Sequence, residues 1–252
     1  MYSLGIDSGS TMIKGVLFDG KDIIAYKKIP TSANPKESIQ NLYKELYSDK
    51  VAYVVATGYG RLLLPEADRY VTEITCHGTG AAYLSQEIGA VIDIGGQDCK
   101  AILLDENQHV IDFLMNDKCA AGTGRFIEMM MRILEEPMSY LDNFVKGKNP
   151  ISISSMCAVF AEGEIVSLLA KGADKGDIAL GIIHSICRRT AFFAERLKLA
   201  DPVFFSGGLA GFQVFRDTLE FYLKRAVKTN TMAQYAGAIG AALIGYKKAA
   251  VK

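Results

Sequence analysis

The sequence predicts an α/β protein built from two related subdomains. Short β-rich apolar segments alternate with longer segments that have helical spacing, which is typical of an α/β fold. A strand, a glycine-rich turn and a second strand at residues 3–19 recur at residues 90–105, with Asp7 and Asp93 in equivalent places. The offset is 86 residues (93 − 7 = 86). Similarity at that distance indicates two related units and excludes a short-period repeat.

The elements of the first half follow from composition and spacing. Residues 3–19 predict two strands around a glycine turn, and the apolar segment after them predicts a third strand. A polar segment with helical spacing predicts one helix, and a segment of small, apolar residues predicts another. After the hairpin, the predicted elements are a strand at 23–30, a helix at 36–47, a strand at 51–56 and a helix at 76–84.

The second half repeats the hairpin at residues 90–105 and continues with helices. Met129, Met130, Ile133 and Leu134 have helical spacing within the predicted helix 124–134. The other predicted elements are helices at 162–169 and 178–197, a buried strand at 203–205 and a helix rich in glycine and alanine at 236–247. We predict a first subdomain at residues 1–80, completed by residues 236–252, and a second at 81–235.

Composition narrows the class of protein. The chain has 252 residues, with 28 basic and 28 acidic side chains, so its bulk charge attracts neither nucleic acid nor an anionic membrane. No apolar run approaches the roughly 20 residues of a spanning helix, and Asp7 comes too early for a signal peptide. Five cysteines are too few, and odd in number, for a disulfide framework. We therefore expect a cytoplasmic protein with no membrane or nucleic-acid partner.

Three glycine-rich turns predict a nucleotide site. Glycine lets the backbone present N–H groups to phosphate oxygens, and Ser10 and Thr11 add hydroxyl donors. The aspartate before each hairpin turn suits Mg²⁺, held through water because Mg²⁺ loses its hydration reluctantly. Gly207 and Gly208 form a third turn after the buried strand. The chain has neither a Walker P-loop nor a G-x-G-x-x-G dinucleotide motif.

These turns resemble those of the superfamily of actin, sugar kinases and heat-shock chaperone ATPases. The resemblance covers Asp7–Lys14 as the first phosphate loop, Asp93–Lys100 as the second and Phe205–Leu209 as the adenosine loop. It implies two RNase-H-like subdomains with ATP in the cleft between them. It also implies that Asp7 and Asp93 organise Mg²⁺ and the attacking water.

Two cysteine segments identify a narrower family. Cys119 begins the segment Cys-Ala-Ala-Gly-Thr-Gly-Arg-Phe, and Cys157 belongs to Met-Cys-Ala-Val-Phe-Ala-Glu. Together with Asp-Ile-Gly-Gly-Gln-Asp at 93–98, they resemble the activator ATPases of 2-hydroxyacyl-CoA dehydratases over essentially the whole chain. That family includes the ATPase subunits of benzoyl-CoA reductases and the reductases of double-cubane cluster proteins. Here the family's usual Val-Phe-Ala-Glu-Ser-Glu has Gly163 in place of the serine, so a contact by that serine cannot be carried over.

The resemblance implies a homodimer that holds one [4Fe-4S] cluster between Cys119 and Cys157 of each protomer. ATP hydrolysis would drive a low-potential electron into a partner iron–sulfur dehydratase or reductase, and ferredoxin or flavodoxin would supply the activator. The helix predicted after Cys119 would stabilise the cluster's negative charge by about 0.3–1 kcal/mol or more. We expect such an interface cluster to be partly exposed and oxygen-sensitive. The other cysteines, Cys76, Cys99 and Cys187, are expected not to bind metal, and Cys76 and Cys187 to be packing residues.

The candidate site residues fall into three groups. Asp7 and Asp93 organise Mg²⁺, and Gln97 positions the attacking water or senses the γ-phosphate because an amide both donates and accepts. Cys119 and Cys157 are the cluster ligands, and Glu162 is the candidate for the ribose or base. The nucleotide-binding candidates are Ser8, Gly9, Ser10, Thr11, Lys14, Gly95, Gly96, Gln97, Gly122, Thr123, Glu162, Gly207, Gly208 and Gly237.

Two alternatives stay open. A small-molecule kinase on the same fold would phosphorylate a sugar or cofactor precursor, with Asp98 as the base. A nucleotide-regulated dimer bridged by zinc would use the same cysteines without electron transfer. Metal identity separates the zinc dimer from the activator, and substrate-dependent ATP consumption separates the kinase from both.

Overall fold

A computed structural model describes residues 1–154 and 158–251. In those residues ten strands form two five-stranded sheets, with helices packed against them. The predicted α/β class is therefore confirmed. No helix in the described ranges is long and apolar enough to span a membrane.

The first sheet has the strand order β3-β2-β1-β4-β5. β1, β2 and β3 are antiparallel neighbours, and β4 and β5 add in parallel on the other side of β1. Its strands are β1 (Tyr2–Ser8), β2 (Met12–Phe18), β3 (Ile23–Pro30), β4 (Val51–Thr57) and β5 (Arg69–Tyr70).

The second sheet repeats this plan, with the order β8-β7-β6-β9-β10. β6, β7 and β8 are antiparallel, and β9 and β10 are parallel additions beside β6. The registers also match, because Asp7 lies opposite Lys14 and Asp93 lies opposite Lys100. The strands are β6 (Ala90–Ile94), β7 (Cys99–Leu104), β8 (Val110–Asn116), β9 (Val203–Gly207) and β10 (Val227–Lys228).

Three of the helices begin at a residue whose side chain accepts from their free N–H groups. The side chain of Asn34 caps α1, Thr72 caps α2 and Asp174 caps α6, so α6 begins three residues before the predicted start at 178. α7, β8 and β10 were not specifically predicted. The helices are α1 (Pro35–Leu46), α2 (Glu73–Leu84), α3 (Gly124–Ile133), α4 (Leu141–Phe144), α5 (Ala158–Ala170), α6 (Lys175–Ala194), α7 (Gln213–Leu223) and α8 (Ala236–Ala249).

Two glycine-containing helices pack together between the sheets. α8 contacts β1, β2 and β4, α2 contacts β6, β7 and β8, and the two helices contact each other. A Cβ on Gly80 would lie 1.9 Å from the carbonyl oxygen of Ala236, and one on Gly240 would lie 1.9 Å from that of Cys76. The close approach of these backbones therefore requires glycine at both positions. The assignment of 1–80 with 236–252, and of 81–235, to separate subdomains stays a prediction.

Candidate active site

The two hairpin turns face each other across a cleft. Turn 1, between β1 and β2, has a hydrogen bond from Gly9 N to Met12 O of 3.2 Å. Turn 2, between β6 and β7, has the equivalent bond from Gly95 N to Asp98 O, of 2.9 Å. A Cβ on Gly96 would lie 2.0 Å from Thr11 Oγ1, so the turns are in contact.

The turns have the donors and the space that a phosphate chain requires. Thr11 Oγ1 is buried and has no hydrogen-bond partner in the described part of the chain. A Cβ on Gly9 would lie 2.8 Å from Met12 O, and one on Gly95 would lie 2.2 Å from Asp98 Oδ1. Only glycine therefore fits the tight backbone of both turns. These residues therefore fit phosphate oxygens.

A buried histidine lies between the two predicted Mg²⁺ aspartates. His77, on α2, has its Nδ1 3.3 Å from Asp93 Oδ1 and its Nε2 3.8 Å from Asp7 Oδ2. Burial alone would lower the pKa of His77, but the carboxylates of Asp93 and Asp7 outweigh it and raise that pKa. Burial would likewise raise the pKa of Asp93, but His77 and Lys100 hold it well below the ordinary range. Two carboxylates this close are suited to hydrated Mg²⁺.

The equivalent lysines of the two turns differ in their partners. Lys100 Nζ lies 2.7 Å from Asp98, 3.3 Å from Glu73 and 3.4 Å from Asp93. Burial opposes its charge, but these carboxylates raise the pKa of Lys100 above its usual value. Lys14 Nζ lies 4.0 Å from Asp7 and its side chain is 15% exposed. Lys14 is therefore the better placed of the two to meet a phosphate, and Lys100 holds the carboxylates of turn 2 together.

Most of the predicted nucleotide residues lie on one cavity. Ser8 is buried beside them, and a Cβ on Gly237 would lie 2.7 Å from Asp7 Oδ2. Gln97 and Glu162 are exposed, and Gly122 and Thr123 are buried before α3; none of these four is among the lining residues. The predicted residues that line the cavity are Asp7, Gly9, Ser10, Thr11, Lys14, Asp93, Gly95, Gly96, Gly207 and Gly208.

The structure adds lining residues that sequence reasoning missed. Glu73 and His77 lie one helical turn apart on α2, and Glu128 lies on α3. The i, i+4 spacing of two polar residues in a small, apolar helix was the signal for the first pair. Burial raises the pKa of Glu73 more than the Lys100 cation lowers it.

Cys119 differs from the other cysteines in its environment. It is exposed and directly precedes the 3₁₀ turn Ala120–Gly122, whereas Cys76, Cys99 and Cys187 are buried. Burial raises the pKa values of the Cys76 and Cys99 thiols to about 12. Cys119 is therefore open to solvent, unlike the three buried cysteines. Cys157 lies outside the described residues, and within those residues no group of three or more metal-ligating side chains comes together.

Turn 2 is joined directly to the segment that follows Cys119. Gly124 N donates to Gly95 O and Arg125 N donates to Gly96 O, both at 2.9 Å. These donors are two of the free N–H groups at the start of α3. Two main-chain hydrogen bonds therefore tie turn 2 to the start of α3.

Known proteins are similar to this chain over almost its whole length. The chain is 43% identical to the (R)-2-hydroxyglutaryl-CoA dehydratase activating ATPase of Acidaminococcus fermentans, over 99% of both chains. The activator of the 2-hydroxyisocaproyl-CoA dehydratase from Clostridium difficile, solved with bound ADPNP, has a TM-score of 0.93 at 37% identity and covers 100% of this chain and 96% of its own.

More distant structures share the fold alone. A ROK family glucokinase from Streptomyces griseus has a TM-score of 0.59 at 15% identity, covering 98% of this chain and 100% of its own. The predicted architecture of two actin- and sugar-kinase-like subdomains is thus confirmed. Residues 4–245 match the BadF/BadG/BcrA/BcrD ATPase family. The chain belongs to that family, as the resemblance of its turns and cysteine segments indicated.

Proposed function

We propose that the protein is an ATP-dependent activator, which passes one low-potential electron to a partner iron–sulfur enzyme through a [4Fe-4S] cluster shared by two protomers. The observation that carries this proposal is the link between turn 2 and α3. Gly95 and Gly96 meet the nucleotide cleft on one side and bind the start of α3 on the other. The exposed Cys119 lies only five residues before Gly124.

The residues of the cleft have different roles in the binding and hydrolysis of ATP. The N–H groups of both turns, the Thr11 hydroxyl and the Lys14 ammonium bind the phosphates. Asp7 and Asp93 hold hydrated Mg²⁺, which supplies positive charge to the phosphate oxygens. Gln97 positions the attacking water in this proposal. It is exposed in the structure, so that role requires turn 2 to rearrange when ATP binds.

Two protomers are needed for the redox site. Cys119 and Cys157 of each would supply the four thiolates of a [4Fe-4S] cluster, which exchanges one electron. The first N–H groups of α3 lie beyond Cys119, where a helix start stabilises negative charge. ATP and ADP must differ in affinity for two dimer conformations if hydrolysis is to drive the transfer.

The proposed partners follow from the relatives. A 2-hydroxyacyl-CoA dehydratase is the first choice, since relatives that match almost the whole chain are named as activators of such enzymes. A benzoyl-CoA-type reductase and a double-cubane cluster protein are the other members of this partner class. Ferredoxin or flavodoxin would restore the electron. We also propose that the protein works in the cytoplasm.

Reconstitution with a dehydratase tests the proposal. The anaerobically purified protein is mixed with (R)-2-hydroxyglutaryl-CoA dehydratase, a reductant and Mg²⁺, and dehydration is followed with and without ATP. We expect dehydration to require ATP and this protein, and to be lost with Cys119→Ser while ATP binding is kept. Dehydration that proceeds equally well with Cys119→Ser would contradict the proposal.

The kinase alternative is less well supported by the site. Its candidate base, Asp98, forms an ion pair with Lys100 at 2.7 Å. The same carboxylate packs closely against the backbone of turn 2 at Gly95. ATP consumption that depends on an added sugar would nevertheless favour it. One zinc ion per dimer without sulfide would favour the zinc-bridged alternative.

A further inference from the structure

The nucleotide cleft extends beyond the phosphate turns to a region with a different character. β9 borders β6 on the side away from β7, so its C-terminal Gly207 lies beside Ile94, at the start of turn 2. Gly207 has a φ of 92°, and a Cβ on Gly208 would have no atom within 4 Å. Apart from Glu128, this region is lined by open backbone and apolar side chains. The phosphate end of the cleft is lined mainly by charged side chains. The lining residues in this region are Gly207, Gly208, Leu209, Phe212, Met138 and Glu128.

Glu128 is distinguished from every other carboxylate that lines the cavity. Asp7, Glu73, Asp93 and Asp98 each lie within 4.0 Å of a lysine or histidine nitrogen. Glu128 is half-buried and forms no hydrogen bond or ion pair with any residue of the described ranges. A partly buried carboxylate without a donor is unfavourable, so a ligand that brings donors to it is stabilised.

The position of Glu128 along α3 sets its distance from the phosphates. The helix begins at turn 2, where Gly124 N is bound to Gly95 O. With a rise of 1.5 Å per residue, Glu128 lies about 6 Å further along the helix axis. A nucleoside triphosphate spans a distance of this order between its phosphates and its ribose. The carboxylate would repel a phosphate, but it accepts hydrogen bonds from hydroxyl groups.

We propose that Glu128 binds the 2′- and 3′-hydroxyls of the nucleotide ribose and makes the cleft selective for ribonucleotides. The inference rests on the proposed nucleotide site and specifies its recognition of the nucleoside. Leu209, Met138 and Phe212 then offer apolar contact to the base, and Gly208 leaves room beside it. This places ribose recognition on α3, whereas Glu162, the candidate from the sequence, is exposed on α5.

Comparison of ATP with 2′-deoxy-ATP and 3′-deoxy-ATP tests the assignment. Equilibrium binding to the anaerobically purified full-length protein is measured with Mg²⁺. We expect the wild type to bind ATP about tenfold more tightly than either deoxynucleotide, as loss of a hydrogen bond to a charged group predicts. Glu128→Ala, which loses both hydrogen bonds, should bind all three nucleotides alike and no more tightly than the wild type binds either deoxynucleotide. Glu128→Gln, which keeps one acceptor oxygen, should fall between. Glu136→Ala, just beyond α3 and outside the cavity lining, is the matched control.

The ratio of affinities separates recognition from general damage. A helix that is merely weakened would lower the affinity for all three nucleotides equally and keep their ratio. An unchanged ratio in Glu128→Ala would therefore overturn the ribose assignment and leave the nucleotide site intact. Failure of the wild type to bind ATP at all would overturn the nucleotide site itself, and this assignment with it.

Discussion

At the scale of single residues, the imidazole of His77 offsets the repulsion between two buried carboxylates. Asp7 is the penultimate residue of β1 in one sheet, Asp93 is the penultimate residue of β6 in the other, and the imidazole lies between their carboxylates. Neither aspartate would be stable as a lone buried anion. Gly237 on α8 lies against Asp7 and His77, and α8 can approach them this closely because glycine has no side chain.

Replacement of Gly237 by alanine tests this arrangement. The new Cβ would lie 2.7 Å from Asp7 Oδ2 and 2.8 Å from His77 Nε2, so both groups must move. We expect ATP hydrolysis to fall by about tenfold or more, since small misplacements of catalytic groups have large effects on rate. Gly211→Ala, where a Cβ meets no atom within 4 Å, is the control. Equal hydrolysis rates for the two variants would show that the spacing is not critical.

The lowered pKa of a second histidine, His184, leads us to expect that the free energy of unfolding depends on pH. Burial, assisted by the Arg188 cation, lowers the pKa of His184 below the ordinary value of 6.5. The unfolded chain therefore binds a proton more readily than the folded protein as the pH falls through 6.5 and towards the folded pKa. We expect the free energy of unfolding to decrease on acidification through this window. In His184→Gln that decrease should be smaller.

Urea unfolding of both proteins at neutral pH and at about pH 5.5 measures the difference. His77 titrates in both proteins, so the comparison isolates His184. Parallel pH dependence in the two proteins would contradict the lowered pKa of His184.

At the scale of elements, α3 joins turn 2 to the segment that carries Cys119, and we propose that it connects the nucleotide site with the dimer interface. Its first two N–H groups bind the carbonyl oxygens of Gly95 and Gly96, and Cys119 lies just before it. The extended Thr123, with a ψ of 166°, precedes Gly124. Proline at this first helical position would therefore fit the extended residue before it, but it would remove the N–H group that binds Gly95 O and place its ring against that oxygen.

Gly124→Pro and Gly124→Ala form a matched pair for this connection. Both add a Cβ, which would meet Gly95 O at 3.2 Å, but only proline removes the donor. We expect Gly124→Pro to need more ATP per partner molecule activated, by about fivefold or more, because it loses one hydrogen bond of ~1 kcal/mol and its ring also displaces Gly95 O. The measurement is the ratio of phosphate released to dehydratase activated at saturating ATP. The same ratio in both variants would exclude the backbone link as the coupling element.

At the scale of the whole molecule, a duplicated sheet places two equivalent turns face to face. This much was predictable, because the Asp, Gly and Lys residues of both turns recur with one offset of 86 residues. His77 and Glu128 were not found, because each lies on a helix that meets the cleft only after long-range packing. Glu162 looked suitable from its position after Cys157, but its exposure depends on how α5 packs. That no three metal-ligating side chains come together in the described ranges also depends on the fold.

The most direct test of the account is the content of iron and acid-labile sulfide per dimer after anaerobic purification. The same assay is made on Cys119→Ser and on Cys76→Ala, which changes a buried cysteine. We expect about four iron and four sulfide per dimer in the wild type and in Cys76→Ala. In Cys119→Ser we expect iron and sulfide to be lost while ATP binding is retained. A wild-type dimer that binds ATP but contains no iron, or iron unaffected by Cys119→Ser, would contradict the shared cluster and the electron transfer built on it.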